Sequence, residues 1–153
     1  LGRLTPAERR AMQMHTVLGG ECLAGVERML GDRDPFLDIG REIALAHHEQ
    51  WDGSGYPHGL QGKQIPLSAR IVALADVYDA LTSNRVYRPA VAHDVAREWI
   101  VSNYGSQFDP EVVEAFVARE TDFAKISGIV AQEQRAAGGE EEATEVAAAG
   151  ALA

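Results

Sequence analysis

Apolar residues recur every three to four positions along most of this chain, the period of helices with one buried face. Thr5-Pro6-Ala7-Glu8 reads as a helix start. Threonine caps, proline takes the first helical position and Glu8 completes a capping box. Ala7, Met12 and Met14 continue that helix, and Thr16 offers a second cap directly after His15. A second helix is then expected through Val17, Leu18, Leu23, Val26, Met29 and Leu30, stopping at Gly31, with Cys22 packed among its apolar residues. Asp34 and Pro35 open a third, which carries Phe36, Ile39, Ile43, Ala44 and Ala46 and runs into His47-His48. Residues 66–83 form the most apolar helix, with Leu67, Ile71, Leu74, Val77, Tyr78 and Leu81 as its expected buried set. Further helices are predicted over residues 93–103 and from Asp109-Pro110-Glu111 through Val112, Val113, Phe116 and Val117. Strand-like alternation is nearly absent and no internal repeat is found, so the predicted fold class is all-α.

One segment departs from the helical period. Between His48 and Pro66 the chain reads EQWDGSGYPHGLQGKQI, rich in glycine yet carrying Trp51, Tyr56, Leu60 and Ile65. Structureless connections beyond about 12–15 residues are uncommon in compact domains and are usually functional or disordered. The large apolar side chains favour an ordered, functional loop.

Composition narrows the picture. Of 153 residues, 46% are hydrophobic and 24% charged, which is globular usage. No run approaches the ~18 uninterrupted apolar residues of a membrane span, so the segment is expected to be soluble. A single cysteine excludes an internal disulfide. The net charge of −9 argues against a sequence-independent grip on DNA or RNA, though not against a small phosphorylated ligand held by local arginines. Residues 131–153 hold nine alanines and five glutamates against one arginine. That tail has almost no apolar side chain to bury, so disorder, or a frayed helix, is expected from residue 126 on. Residues 1–125 are expected to form the folded part.

Candidate chemistry clusters in three places. His47 and His48 are adjacent at the end of an apolar helix, where side chains project about 100° apart. Both can then reach one pocket without sharing one position, as two metals or a metal and a phosphate require. Asp76 and Asp79, three residues apart on one face of the most apolar helix, are costly there unless paired or metal-bound. Arg70 or Arg85 would supply the pairing alternative. Arg85, Tyr87 and Arg88 follow, and guanidinium forks match phosphate oxygens. Together these groups have the makings of a metal-assisted phosphoester site. Glu49 is read either as orienting a histidine or as a surface ion-pair partner.

The run His47-His48-Glu49-Gln50-Trp51-Asp52-Gly53-Ser54-Gly55-Tyr56-Pro57 resembles the HHExxDGxGYP signature of the HD-GYP family. The resemblance continues through Ala69-Arg70-Ile71, Ala75-Asp76-Val77-Tyr78-Asp79-Ala80-Leu81-Thr82-Ser83, Arg85-x-Tyr87-Arg88 and Gln107-Phe108-Asp109-Pro110. Upstream, Met12-x-x-His15-Thr16 fits the approach to the family's middle metal histidine. The resemblance implies an all-helical, metal-dependent phosphodiesterase acting on the bacterial second messenger cyclic di-GMP in the cytoplasm. It places His15, His47, His48 and Asp76 at metal-ligand positions, with two or more divalent ions, iron or manganese favoured. It sets Tyr56 near the substrate and Arg85 and Arg88 on its phosphates. The family's upstream His-Asp pair is lacking, because none of the fourteen residues before His15 is His or Asp. His93-Asp94 comes too late in the chain to replace it, and Asp94 is expected to cap a helix instead. The chain is therefore expected to be the C-terminal two-thirds of such a domain, following a receiver or sensory domain and inactive alone. A non-catalytic module binding cyclic di-GMP or a protein, or another HD-type nucleotide phosphohydrolase, is the alternative.

Overall fold

A computed structural model describes residues 4–85 and 89–129. Five α-helices follow in order: α1 Pro6–Leu30, α2 Pro35–Ala46, α3 Leu67–Thr82, α4 His93–Ser102 and α5 Pro110–Ala118. Residues 120–129 form a further helical stretch, so residues 126–129, assigned to the tail from composition, end a helix. The remainder of the expected tail lies outside the described residues. No strand occurs among the described residues, as expected for an all-α fold; Tyr104 and Phe108 make an isolated bridge.

Three helices start with the same device, a capping side chain followed by proline. Thr5 accepts from the Glu8 amide, and Glu8 accepts from the Thr5 amide at 2.7 Å. Asp34 accepts from Phe36 N at 2.8 Å, and Asp109 accepts from Glu111 N at 2.9 Å. Each proline follows at the first helical position, where no amide donor is needed. Gly31, at φ +79°, ends α1 in the left-handed cap conformation.

Several expectations are corrected here. The break at Thr16 does not occur: α1 runs unbroken for 25 residues, and the Thr16 hydroxyl donates back to Gln13 O at 2.9 Å. A threonine whose hydroxyl turns back onto its own helix gives no cap. Cys22 is exposed, on the side of α1 turned from α2. In α3, Leu74 and Tyr78 are buried but Leu67 and Ile71 are about half exposed. Asp94 is not the cap of α4; Ala92 holds that position without a side-chain bond, and Asp94 sits in the first turn.

Helix α3 is the hub. It packs on α2 on one side and on α4 and α5 on the other, while α1 packs on α2. Leu74, Tyr78, Ala96, Ile100, Phe108, Val113 and Phe116 form the larger core, and Ala46, Ile65 and Ala69 a smaller one. Gly20 lets α1 approach α2 closely, since a Cβ there would stand 2.5 Å from Leu45 Cδ2. Arg70 pairs with fully buried Asp109, not with Asp76 or Asp79. Its Nε also donates to Ile65 O at 2.8 Å, so one guanidinium ties α3 to the loop before it and to the start of α5.

Candidate metal centre

The close approach of α1 and α2 sets His15 against the pair at the end of α2. Ring centroids of His15 lie 5.5 Å from His47 and 5.0 Å from His48, and His47 and His48 are 4.0 Å apart. Ligand atoms of all three lie within 4.8 Å of one another. His15 Nδ1 is 2.7 Å from Met12 O, and His47 Nδ1 is 2.8 Å from Ile43 O. A carbonyl oxygen only accepts, so each Nδ1 carries a proton and Nε2 is the nitrogen left to bind a cation. That is the arrangement of a metal-ligating histidine whose other nitrogen is held by backbone.

The electrostatics agree. Burial, then the neighbouring His47 and His15, depress the His48 imidazole to about 4, with the Asp76 charge acting in the opposite sense. His48 is thus uncharged at neutral pH. A cluster of three imidazoles with ligand atoms this close is a donor set that fits a divalent cation.

Asp76 is exposed on α3 and stands outside the three-histidine set, though its charge acts on both His48 and Tyr56. Its exposure, like that of Asp79, removes the desolvation argument made from the apolarity of α3. The Tyr56 ring stacks on His48 with centroids 4.8 Å apart and lies 6.5 Å from His15. Burial, reinforced by Asp76, raises its phenol above the usual range, so it stays protonated. Arg85 is exposed just beyond α3 and makes no ion pair among the described residues. Arg88 lies outside the described residues. His93 is taken up by Tyr78, whose hydroxyl is 2.9 Å from its Nδ1, and has no part in the centre.

The glycine-rich segment is ordered, and Glu49 explains how. It is 3% exposed and accepts from His58 N at 2.7 Å and Leu60 N at 3.1 Å. It is neither a surface partner nor a histidine positioner but the clamp that folds the loop over itself. Nothing in sequence spacing distinguishes a carboxylate that binds amides nine and eleven residues ahead. Tyr56 N donates to His48 O at 3.2 Å, setting the ring beside the histidines. Trp51 N and Asp52 N donate to Gln107 O and Ser106 O at 3.1 and 2.9 Å, fastening the loop to the α4–α5 connection. At Gly55 a Cβ would stand 2.3 Å from Gln50 N, so only glycine allows this approach.

The fold and the site define an all-helical scaffold that presents three clustered imidazoles at one helix junction. The chain belongs to the HD domain family, whose signature matches residues 1–112, and its GYP loop and relatives are those of the HD-GYP branch. It is 56% identical over 126 residues to a cyclic di-GMP phosphodiesterase of Vibrio cholerae serotype O1, covering 82% of this chain and 25% of that protein. It is 43% identical over 127 residues to the cyclic di-GMP phosphodiesterase response regulator RpfG of Xanthomonas campestris pv. campestris, covering 83% and 32%. It is also 40% identical over 125 residues to 3′3′-cGAMP-specific phosphodiesterase 2 of Vibrio cholerae serotype O1, covering 82% and 23%. The chain thus spans between 23% and 32% of the length of these relatives. No helix among the described residues is long and apolar enough to cross a membrane.

Proposed function

We propose that residues 1–125 are the C-terminal two-thirds of an HD-GYP domain that hydrolyses cyclic di-GMP as a metal-dependent phosphodiesterase. The observation that carries this reading is the convergence of His15, His47 and His48 within 4.8 Å beside the Tyr56 ring. His15 and His47 would hold metal through Nε2, joined by His48 and Asp76. The mixed imidazole and carboxylate set favours two or more iron or manganese ions. Such ions lower the pKa of a bound water and neutralise charge on phosphoryl oxygens. The remaining roles fall to the chain's own side chains. Tyr56 covers one face of His48 and keeps its hydroxyl proton available to the substrate. Arg85, with no carboxylate partner among the described residues, offers its guanidinium fork to the non-reacting phosphate, and Arg88 is assigned the same work.

Because the chain spans only 25% and 32% of two of the relatives it matches, we assign the family's His-Asp pair to chain upstream of these residues, beside a receiver or sensory domain. The words "response regulator" in one relative's name support that assignment. The setting would be the bacterial cytoplasm. The test is the whole protein loaded with manganese or iron and given cyclic di-GMP, with products separated by chromatography. Linear dinucleotide or mononucleotide is expected, and Asp76→Ala should remove both metal and turnover. Arg85→Ala should act mainly on KM. Binding of cyclic di-GMP without any product would replace this reading with that of a non-catalytic binding module.

A further inference from the structure

Along α3, Ala75 and Asp79 flank Asp76, and both line a separate hollow of about 180 Å³. Tyr78, Thr82, Phe123 and Ile126 form most of its other walls, with Ser83 and Ser127 beside them. It is smaller than the ~300–1,000 Å³ of a site for a whole small-molecule ligand, so it suits one ring system. The walls are pre-set. Phe123 packs edge-on against Tyr78 and Phe116 at centroid distances of 5.2 and 4.8 Å, which fixes its plane. Asp79 is the only acidic group in this lining. The Ser83 hydroxyl donates to its Oδ1 at 3.0 Å, which orients the carboxylate, and Oδ2 has no partner among the described residues. The carboxylate makes no ion pair among the described residues, although it sits three residues, about 4.5 Å of helix rise, beyond Asp76.

We propose that this hollow is a base slot and that Asp79 selects guanine in it; the inference rests on the cyclic-dinucleotide reading given above. An ionised carboxylate only accepts hydrogen bonds. The Watson–Crick edge of guanine offers it two adjacent donors, N1–H and the exocyclic N2–H. Adenine offers one donor beside an unprotonated N1, and that lone pair would face the carboxylate. A site built to pair two donors rejects the base lacking one of them. The apolar walls take the faces of the ring, and the carboxylate at the rim reads its edge.

Asp79→Asn tests this in the metal-loaded whole protein. The amide keeps one acceptor and gains one donor, which matches adenine's N1 and N6–H and no longer takes guanine's N1–H and N2–H together. For cyclic di-GMP, kcat/KM should fall about tenfold or more, carried by KM. Activity on cyclic di-AMP should hold or rise, with metal content by elemental analysis unchanged. Equal losses on both substrates, no change on either, or loss of metal would each overturn the assignment. Ala75→Leu, which fills the slot without touching the carboxylate, should raise KM for both substrates and leave their ratio alone; an unchanged KM would count against the slot. If the unaltered protein hydrolyses no cyclic dinucleotide, the function proposed above fails. Calorimetric affinities for cyclic di-GMP and cyclic di-AMP then still read the slot, and equal affinities would refute it.

Discussion

Glu49 shows how much of this site depends on one side chain that touches no ligand. Its two oxygens take the amides of His58 and Leu60, and both bonds are shielded from water. Glu49→Gln keeps the shape but turns an NH2 toward one of those amides, donor against donor. Leaving a buried amide unpaired costs about 1–3 kcal/mol. Chemical denaturation should show that loss, and hydrogen exchange at His58 and Leu60 should quicken; unchanged exchange at both amides would refute the clamp. The glycines beside it are not equivalent. At Gly55 a Cβ meets backbone, 2.3 Å from Gln50 N and 2.5 Å from Glu49 Cα, and backbone there has no room to yield. At Gly53, with φ +86°, the nearest atom to a Cβ is Gln61 Cβ at 3.4 Å, so alanine meets only the left-handed penalty of about 1–2 kcal/mol. Gly55→Ala should therefore lower Tm well beyond Gly53→Ala and loosen Tyr56 from His48, read as loss of ring-to-ring NMR contacts. Equal effects would mean that positive φ, not close approach, governs the loop.

Among elements, the contact of α1 with α2 determines whether three histidines meet at all. Gly20 is the point of nearest approach, and Leu45 the residue a side chain would strike. Gly20→Ala should cost about 1–3 kcal/mol by overpacking and separate His15 from His47 and His48, lowering affinity for a divalent probe such as Ni²⁺. Adding Leu45→Ala should restore part of that affinity although it deepens the loss of core packing. Strict additivity of the two changes would exclude a direct clash. The helices themselves were legible in the chain, because the caps at Thr5, Asp34 and Asp109 are local signals, each written within three residues. The three histidines were legible because motif spacing carried them. What could not be read was set by contacts distant in sequence. The partner of Arg70 lies thirty-nine residues away, and Thr16 looked like a cap only because its neighbours' continuation of the helix depends on α2. The exposure of Leu67 and Ile71 has the same origin, since helical period identifies an apolar face but not whether a neighbour covers it.

At the scale of the whole molecule, the site joins α1, which contributes to neither core cluster, to the end of α2. Helix α3 is buried between α2, α4 and α5, whereas α1 packs on α2 and buries only Thr16 and Gly20. Along its outer face Met14, Leu18 and Met29 remain 48%, 58% and 88% exposed. An element that lies outside both core clusters opens at lower free energy than the core helices, ahead of global unfolding. A cation bound by His15 together with His47 and His48 would bridge α1 to α2 and bind only while that contact is closed. At a hundred times its dissociation constant it adds about 2.7 kcal/mol, worth on the order of 10 °C in Tm for a domain of this size. We expect Ni²⁺ or Mn²⁺ to slow hydrogen exchange throughout α1 far more than in α4 or α5. His15→Ala retains two imidazoles on α2 but cuts the bridge. In that variant the metal should still register weakly at the end of α2, while exchange in α1 stays at its metal-free rate. If α1 in the unaltered chain exchanges equally fast with and without metal, His15 does not share a cation with the α2 pair, and the three-histidine centre falls with it.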